Sequence, residues 1–561
     1  MARHILITAA LPYANGPIHI GHLVEYLQAD IWARYQKSCG HDCRYMCADD
    51  AHGTPIMLRA QAEGVEPAAM VERYHAEHER DFAAFGVGFD NFYTTDSPEN
   101  RALSEEFYRR INASGHIERR EIRQAYSETL GMFLPDRYIR GPCPRCGAPD
   151  QYGDSCEVCG AVYSPADMAE ARCAIDDSPI TFRPSDHFFF KLSAYADMLR
   201  GWVNEDHLHP HVVAKLQEWF DVGLRDWDIS RDAPYVGFEI PGEPGKYFYV
   251  WWDAPIGYIA STRNWCERNG REYEDYWVSD EAELYHFIGK DILYFHTLFW
   301  PAMLAGAAHR MPMRVFVHGF LTVDGYKMSK SRGTFVNGAT YLRHLDPQYL
   351  RYYYACKLTP GTGDIDLSTQ DFVARVNADL VGNFANLPSR AAGLLARRLD
   401  NRLGRMDAGG RAVVDGMASV AGEVGAAYEA CEYAGAMRLV AAQADVLNQY
   451  MEREKPWETA KSAPEAARSA LTTALNGVRL LAAYLGPVLP RYAEKVARLL
   501  GCPTPDFTRL EERVEDRAIG VYERIAERVD PDAVAAMIED TRTEQAAHPG
   551  QSGLGGASSG T

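Results

Sequence analysis

Lysine is scarce in this chain. Eleven of the 561 residues are lysine, so nearly all of the 58 basic side chains are arginine. Positive charge is also in deficit: 77 Asp and Glu against 58 Lys and Arg leave a formal net charge of −19. That balance argues against a wholesale nucleic-acid coat or a membrane-surface protein, because both depend on positive charge. It leaves a local basic face open. No run of about 18 apolar residues exists, which argues against a transmembrane helix. The apolar run from Ile5 to Leu11 is short, stops at Pro12 and lacks a small-residue cleavage site, so it does not read as a signal peptide. A disulfide framework is missing too. Four of the twelve cysteines form two C-x-x-C pairs and the other eight are scattered. That pattern suits a reducing, cytoplasmic compartment and one metal site. No internal repeat or coiled-coil heptad is visible.

What is present is a strand–helix alternation. His4 to Ala9 reads as a buried strand, and a helical pattern runs from His22 through Tyr35 to Gly40. Arg44 to Ala48 reads as a second strand with Asp49 and Asp50 at its end, followed by another helix. This opening predicts an α/β fold with a parallel sheet. Residues 115–230 change character and read as an insertion. The pattern resumes with strands at Tyr247 to Trp252, Leu284 to Ile288 and Arg314 to His318, with a helix after Asp291. Ala-rich and Leu-rich helical sequence fills 370–535, as in a bundle. The last residues, from His548, are mostly Gly, Ser and Ala and read as a flexible tail.

Two short segments carry phosphate chemistry. His19-Ile20-Gly21-His22 opens a helix just after the first strand. A helix N-terminus presents free N–H groups and partial positive charge, and two histidines three apart can both donate to phosphate oxygens. Gly21 lets a flat ligand approach the backbone. Alternatively, the segment is a helix cap with two surface histidines. Lys327-Met328-Ser329-Lys330-Ser331 places two of the few lysines close together. Lysine is a flexible point charge suited to a moving phosphate tail, although such a run can also be a solvated turn. Both motifs, in this order and at strand ends of one parallel-sheet pattern, favour the phosphate reading.

Cys143-Pro-Arg-Cys146 and Cys156-Glu-Val-Cys159 form two knuckles, each followed by glycine. Four thiolates at this spacing suit one tetrahedral Zn²⁺ with no position left for water, so the site is structural. The alternative is paired reduced or redox-active cysteines. Cys39, Cys43 and Cys47 read as small packing residues.

The two signature segments resemble those of class I aminoacyl-tRNA synthetases, and the wider chain resembles the bacterial methionyl-tRNA synthetase family. Similar segments include Ala10-Leu11-Pro12-Tyr13-Ala14-Asn15-Gly16, Cys47 to Thr54, Trp227-Asp228-Ile229-Ser230-Arg231-Asp232 and His286-Phe287-Ile288-Gly289-Lys290-Asp291. The resemblance covers roughly residues 4–500. It implies activation of methionine by ATP to an adenylate, with loss of pyrophosphate and transfer to the 3′ end of tRNA(Met), initiator tRNA included. It implies a Rossmann-like catalytic domain in two halves, 1–114 and 231–319, and a zinc-bearing insertion at 115–230. A connecting segment with the lysine loop follows at 320–376, then a helical anticodon-binding domain at 377–540 and a flexible tail at 541–561.

The resemblance also implies residue roles. His19, His22, Lys327 and Lys330 would stabilise phosphate charge, with Mg²⁺ accompanying ATP. Asp50 would hold the methionine α-amino group, unless it is only a helix cap. Arg231 would lie near the amino-acid site, unless it forms a structural ion pair. The side-chain pocket maps onto Leu11, Tyr13, Trp251, Ala254, Pro255, Tyr258, Ile292, His296 and Trp300. His296 and Trp300, four apart, are expected on one helix face. Glu25 and Asp291 are candidate acceptors for ribose hydroxyls or amines, and His318 is expected near adenine, with Gly21 at the nucleotide. Asn386, Arg390 and Trp457 match anticodon-reading segments, where aromatic and guanidinium planes stack on bases and polar groups read base edges. Trp457 could equally be bundle core. Pro388 departs from the family pattern and puts the local helix geometry in question. Residues 376–407 carry five arginines against three aspartates, so this stretch is locally basic. Many bacterial members continue into a dimerising domain. The expectation is that such a domain has been removed and that the chain is a monomer as it stands, or a homodimer with that domain.

Three other readings compete. The nearest is another class I synthetase, for leucine, isoleucine, valine or cysteine; the first three carry a large editing insertion for which the interval between His22 and Lys327 has no room. A small-molecule nucleotidyltransferase does not explain the bundle. A non-catalytic zinc–RNA binder leaves both phosphate motifs unused.

Overall fold

The computed structural model describes residues 2–161, 163–328 and 333–547. Ser329, Lys330, Ser331 and Arg332 lie outside the described residues, as do residues 548–561.

Strands β1 (His4–Ala9), β2 (Asp42–Asp49), β3 (Asn91–Thr94), β6 (Ala282–Gly289) and β7 (Arg314–His318) form a parallel sheet in the order β7-β6-β1-β2-β3. The inner strands are apolar on both faces, with Ile5, Leu6, Ile7, Leu284 and Phe287 fully buried. Helices cover the sheet on both sides, so these strands read as continuous apolar runs. The chain leaves β1 for β2 on one side, and β6 pairs with β1 on the other. The carboxyl ends of β1 and β6 therefore flank a switch point, where open α/β sheets bind ligands. Helix α1 (His22–Ser38) starts there, and α2 (Pro67–Ala84) packs beside it.

The insertion is a long antiparallel pair, β4 (Ile117–Ser127) with β5 (Ile180–Phe190), carrying the cysteine turns at its far end. The expected strand from Tyr247 to Trp252 is shorter. Lys246–Phe248 is a strand, and helix α3 (Val250–Asn269) already contains Trp251 and Trp252. Aromatic density alone does not separate a buried helix from a strand. The expected α-helical face at His296 and Trp300 is likewise altered: Phe295–Phe299 is a π-turn that runs into an α-helix at Trp300.

The bundle includes α4 (Asn386–Arg398), α5 (Tyr433–Glu454) and α6 (Pro464–Leu485). A second π-helical stretch, Val376–Ala385, leads directly into α4 and resolves the question at Pro388. Proline supplies no N–H to the carbonyl four residues back. The Tyr492 hydroxyl bonds the Phe384 carbonyl at 3.2 Å instead, and the Tyr522 hydroxyl bonds that of Ala385 at 3.2 Å. Residues 501–530 depart from the expected helices. They form an irregular strap tied down by Asn476, which bonds both N and O of Val514, and by Asn377, which does the same at Val529. The predicted tail from 541 is also corrected over 541–547. These residues belong to helix α7 (Pro531–Ala547), where Thr541 is buried.

Candidate active site

The histidine turn is tightly determined. The rings of His19 and His22 stack with centroids 3.5 Å apart and planes 18° from parallel. Each Nδ1 accepts the other residue's backbone N–H, at 3.2 and 3.3 Å. With both Nδ1 atoms used as acceptors, each neutral ring carries its proton on Nε2. Burial, then the charges of His19 and His78, push His22 well below its ordinary pKa. His22 is therefore neutral, and in both rings Nε2 is the donor nitrogen. Phe335 meets the His19 ring edge-on at 4.5 Å. Backbone bonds from Ile20 to Val336 (3.0 Å) and from Gly338 to Ile18 (2.7 Å) tie the turn to the segment beyond the lysine loop. A Cβ on Gly21 would lie 2.8 Å from the Met328 sulfur. The two signature segments, remote in sequence, thus touch. Lys327 is exposed at the end of a hairpin turned by Asp324 and Gly325, both at positive φ. Lys330 lies outside the described residues.

Asp50 sits at the end of β2. It is almost fully buried, and its Oδ1 has no partner among the described residues. Burial and then the Asp253 charge raise its pKa well above the usual carboxylate range. A buried, unmatched acceptor of this kind awaits a donor. Beside it, the Tyr13 hydroxyl bonds the His52 carbonyl, and His52 Nδ1 bonds Asp253. Burial alone would lower His52, but the Asp253 carboxylate overrides it and lifts His52 to about 10.

The predicted pocket residues come together. Tyr258 donates to His296 Nε2 at 2.8 Å, while His296 Nδ1 bonds the Ile292 carbonyl at 3.2 Å. Burial holds His296 near 4, so it is neutral. Trp251 stacks on Phe295 at 3.7 Å. Trp300 is fully buried, and its indole N–H donates to His286 Nε2 at 3.0 Å. Leu11 packs against Gly257, where a Cβ would lie 3.1 Å from its methyl. Ala254, Pro255 and Ile292 are buried around the same helix and turn. Arg231 lies 3.8 Å from the Tyr249 ring and 3.5 Å from Asp228, so it both stacks and ion-pairs.

The ribose and adenine candidates partly engage each other. Glu25 Oε2 lies 3.3 Å from His318 Nε2, while Glu25 Oε1 is buried without a partner among the described residues. Burial raises Glu25, opposed by the bond to His318. Asp291 is also raised by burial.

In the insertion, Cys143 and Cys159 sulfurs are 3.8 Å apart and those of Cys146 and Cys156 are 3.6 Å apart. All four lie within 4.8 Å of one another. Sulfurs bound tetrahedrally at about 2.3 Å from zinc stand about 3.8 Å apart. Backbone N–H groups of Arg145 and Cys159 point at the Cys143 and Cys156 sulfurs, as expected for thiolates. Positive φ at Gly147 and Gly160 closes each turn. Ser127–Gly131 and Cys173–Ser178 repeat these turn bonds without a second thiol. Among the described residues, the four-cysteine cluster is the one group suited to a metal.

A family model of class I tRNA synthetases (M) matches residues 5–392. The chain belongs to that family. A model of the anticodon binding domain of methionyl tRNA ligase matches residues 404–546 of this class I synthetase. The methionine–tRNA ligase of Acidithiobacillus ferrooxidans is 52% identical over 543 residues, covering 96% of this chain and 80% of that protein. That of Thiobacillus denitrificans is 50% identical, covering 96% and 79%. The solved Mycobacterium tuberculosis methionyl-tRNA synthetase in complex with methionyl-adenylate superposes with a TM-score of 0.78 at 26% identity, covering 94% of this chain and 99% of that one.

In the synthetase's bundle, Arg390 stands 5.0 Å over the Trp457 ring and pairs with Glu452 at 3.1 Å. Trp457 is 38% exposed, so it is not bundle core. Asn386 is exposed on the same helix as Arg390.

Residues that sequence reasoning did not single out include His52 and Asp253, His286, and His78. The last shares one face of α2 with Tyr74 and Phe82, a buried-histidine pattern that could have flagged it.

Proposed function

We propose that the chain is a methionine–tRNA ligase. It joins methionine to ATP as methionyl-adenylate, releases pyrophosphate, and transfers methionine to the 3′ end of tRNA(Met), initiator tRNA included. The observation that carries this reading is the close approach of Met328 to Gly21, which brings the two signature segments together, with the buried Asp50 following β2 in the same parallel sheet.

The methionine carboxylate is ionised near neutral pH, so its attack on the α-phosphate needs no protein base. Catalysis rests on orientation and on stabilising phosphate charge. His19 and His22 supply two Nε2–H donors, and Lys327 and Lys330 supply positive charge, with Mg²⁺ accompanying ATP. Gly325 and Gly333, both at positive φ, stand on either side of the lysine segment. Asp50 takes the methionine ammonium, and Arg231 borders that site. Leu11, Tyr13, Trp251, Ala254, Pro255, Tyr258, Ile292, His296 and Trp300 hold the thioether side chain, which packs well against aromatic rings. Glu25 and Asp291 lie toward the ribose, and His318 and Gly21 toward the nucleotide base and backbone.

One Zn²⁺ held by Cys143, Cys146, Cys156 and Cys159 stabilises the insertion, and a reducing cytoplasm keeps those thiols available. Asn386, Arg390 and Trp457 read the anticodon loop.

Amino-acid-dependent ATP–pyrophosphate exchange across the twenty amino acids, followed by aminoacylation of tRNA(Met), tests the reading. Exchange with methionine alone and charging of tRNA(Met) are expected. Exchange with another amino acid, or none from folded protein, overturns it.

A further inference from the structure

His78 is a fully buried histidine that the chemistry above leaves without a task. It lies on α2, outside the sheet, yet it reaches two places that flank the site. Its Nδ1 is 2.6 Å from Asp49 Oδ1, and its Nε2 is 2.7 Å from the Gly16 carbonyl. Asp49 is the last residue of β2 and precedes Asp50. Gly16 belongs to the loop that leaves β1 and delivers His19 and His22. One ring therefore bridges the loop carrying the phosphate donors and the strand end carrying the ammonium acceptor.

The bonds also fix the ring's protonation. A backbone carbonyl can only accept, so Nε2 carries a hydrogen. Nδ1 faces a carboxylate, whose second oxygen takes His75 Nδ1 at 2.7 Å. A ring with hydrogen on both nitrogens is an imidazolium, and both of its bonds are charge-assisted. Burial opposes that charge, but the Asp49 bond and charge and the Gly16 carbonyl outweigh it and hold His78 above its ordinary pKa. The charged or titratable groups around it are Asp49, His75, Glu77, Asp81 and Tyr74, with His22 across on α1. Its charge in turn helps keep His22 neutral.

We propose that His78 is a positioning residue: an imidazolium clamp that sets the distance between the His19–His22 loop and Asp50. It thereby aligns the α-phosphate of ATP with the methionine carboxylate. The clamp touches neither substrate. Its effect is on alignment in the transition state, where small displacements are costly.

This inference rests on the methionine-activation reading, and one assay separates the two. If wild-type protein shows no methionine-dependent exchange, that reading fails. Given wild-type exchange, two variants dissect the clamp. His78→Asn keeps a donor near the Nδ1 position and releases Gly16. His78→Gln keeps a donor near the Nε2 position and releases Asp49. Expected for His78→Asn is a fall in kcat per titrated active site of about tenfold or more, with KM for methionine changed by no more than about twofold. His78→Gln, which retains the loop bond, should lose less. Unchanged kcat per active site in both variants, with only fewer active sites, marks a merely structural residue and overturns the proposal. If neither variant folds, ¹⁵N NMR of the wild-type histidines at pH 8 decides. Two protonated ring nitrogens on His78 support the clamp, and a neutral ring overturns it.

Discussion

Met328 occupies the space above the Cα of Gly21, so that a Cβ there would lie 2.8 Å from the methionine sulfur and 3.0 Å from the His19 ring. A methionine side chain yields easily, so Gly21→Ala should cost about 1 kcal/mol of stability or less. Its consequence falls on the donors. Displacing His19 and the start of the lysine loop should lower kcat of methionine-dependent exchange about tenfold. Met328→Ala in the same chain should recover part of the loss, read as a positive coupling in a double-mutant cycle. Independent, additive effects would show that the two segments do not cooperate.

Asp50 Oδ1 is a buried acceptor with no partner among the described residues. Asp50→Asn should raise KM for methionine about a hundredfold while KM for ATP stays within about twofold. Because burial raises the Asp50 pKa, the carboxyl becomes neutral at a higher pH than usual. A neutral acid cannot pair with an ammonium, so KM for methionine should climb as pH falls, and Asp50→Asn should abolish that climb.

His52, lifted by Asp253 to about 10, holds a proton that the unfolded chain loses near the ordinary histidine pKa of about 6.5. The folded state binds more protons between those values, so stability falls as pH rises through the window. The stability contributed by this group is fully present below about 6.5, falls by roughly 1.4 kcal/mol per pH unit between the two values, and is gone above about 10. The stability gap between wild type and His52→Gln, from urea titrations, should therefore shrink from pH 7 to pH 10. A constant gap would rule out the charged pair.

The sulfur separations of 3.6 and 3.8 Å predict one zinc per chain on elemental analysis of protein purified without chelator. Cys156→Ser should lose the metal and open residues 139–179 to protease, with the parallel-sheet core still folded. Protein that contains no zinc, or that keeps the insertion protease-resistant without it, contradicts the assignment.

Trp457 stands exposed beneath Arg390 at the bundle surface. Stacking on one base is worth about 1–3 kcal/mol, so Trp457→Ala should raise KM for tRNA(Met) about tenfold or more. ATP–pyrophosphate exchange, which needs no tRNA, should be unchanged. Loss of both activities would mean that the residue supports the fold.

Contiguous features were legible from the chain itself. The His19–His22 turn is a tetrapeptide after an apolar strand, and the cysteine knuckles are fixed spacings whose turn geometry follows from Gly147 and Gly160. Features made by tertiary contact were not legible. His78 and Gly16 are separated by 62 positions and Glu25 and His318 by 293, and no local pattern links either pair. The π-turns at Phe295–Phe299 and Val376–Ala385 have no periodic signature of their own, because packing against Trp251 and Tyr492 selects them. Residues 541–547 read as the start of a tail, since Glu544 finds its partners Thr340 and Arg343 some 200 positions earlier.

Helix α7 ends against the catalytic side. Thr340 donates to Glu544 at 2.7 Å, Arg343 pairs with the same carboxylate, and His344 lies 2.8 Å from Asp540. During synthesis, residues 338–344 leave the ribosome long before their buttress has been translated. The sheet can assemble as its strands emerge, but the flank at residues 338–344 waits for a helix that lies some 200 positions further along the chain. Order of manufacture thus places completion of this flank after residues 377–530, which include the helical bundle, have been translated.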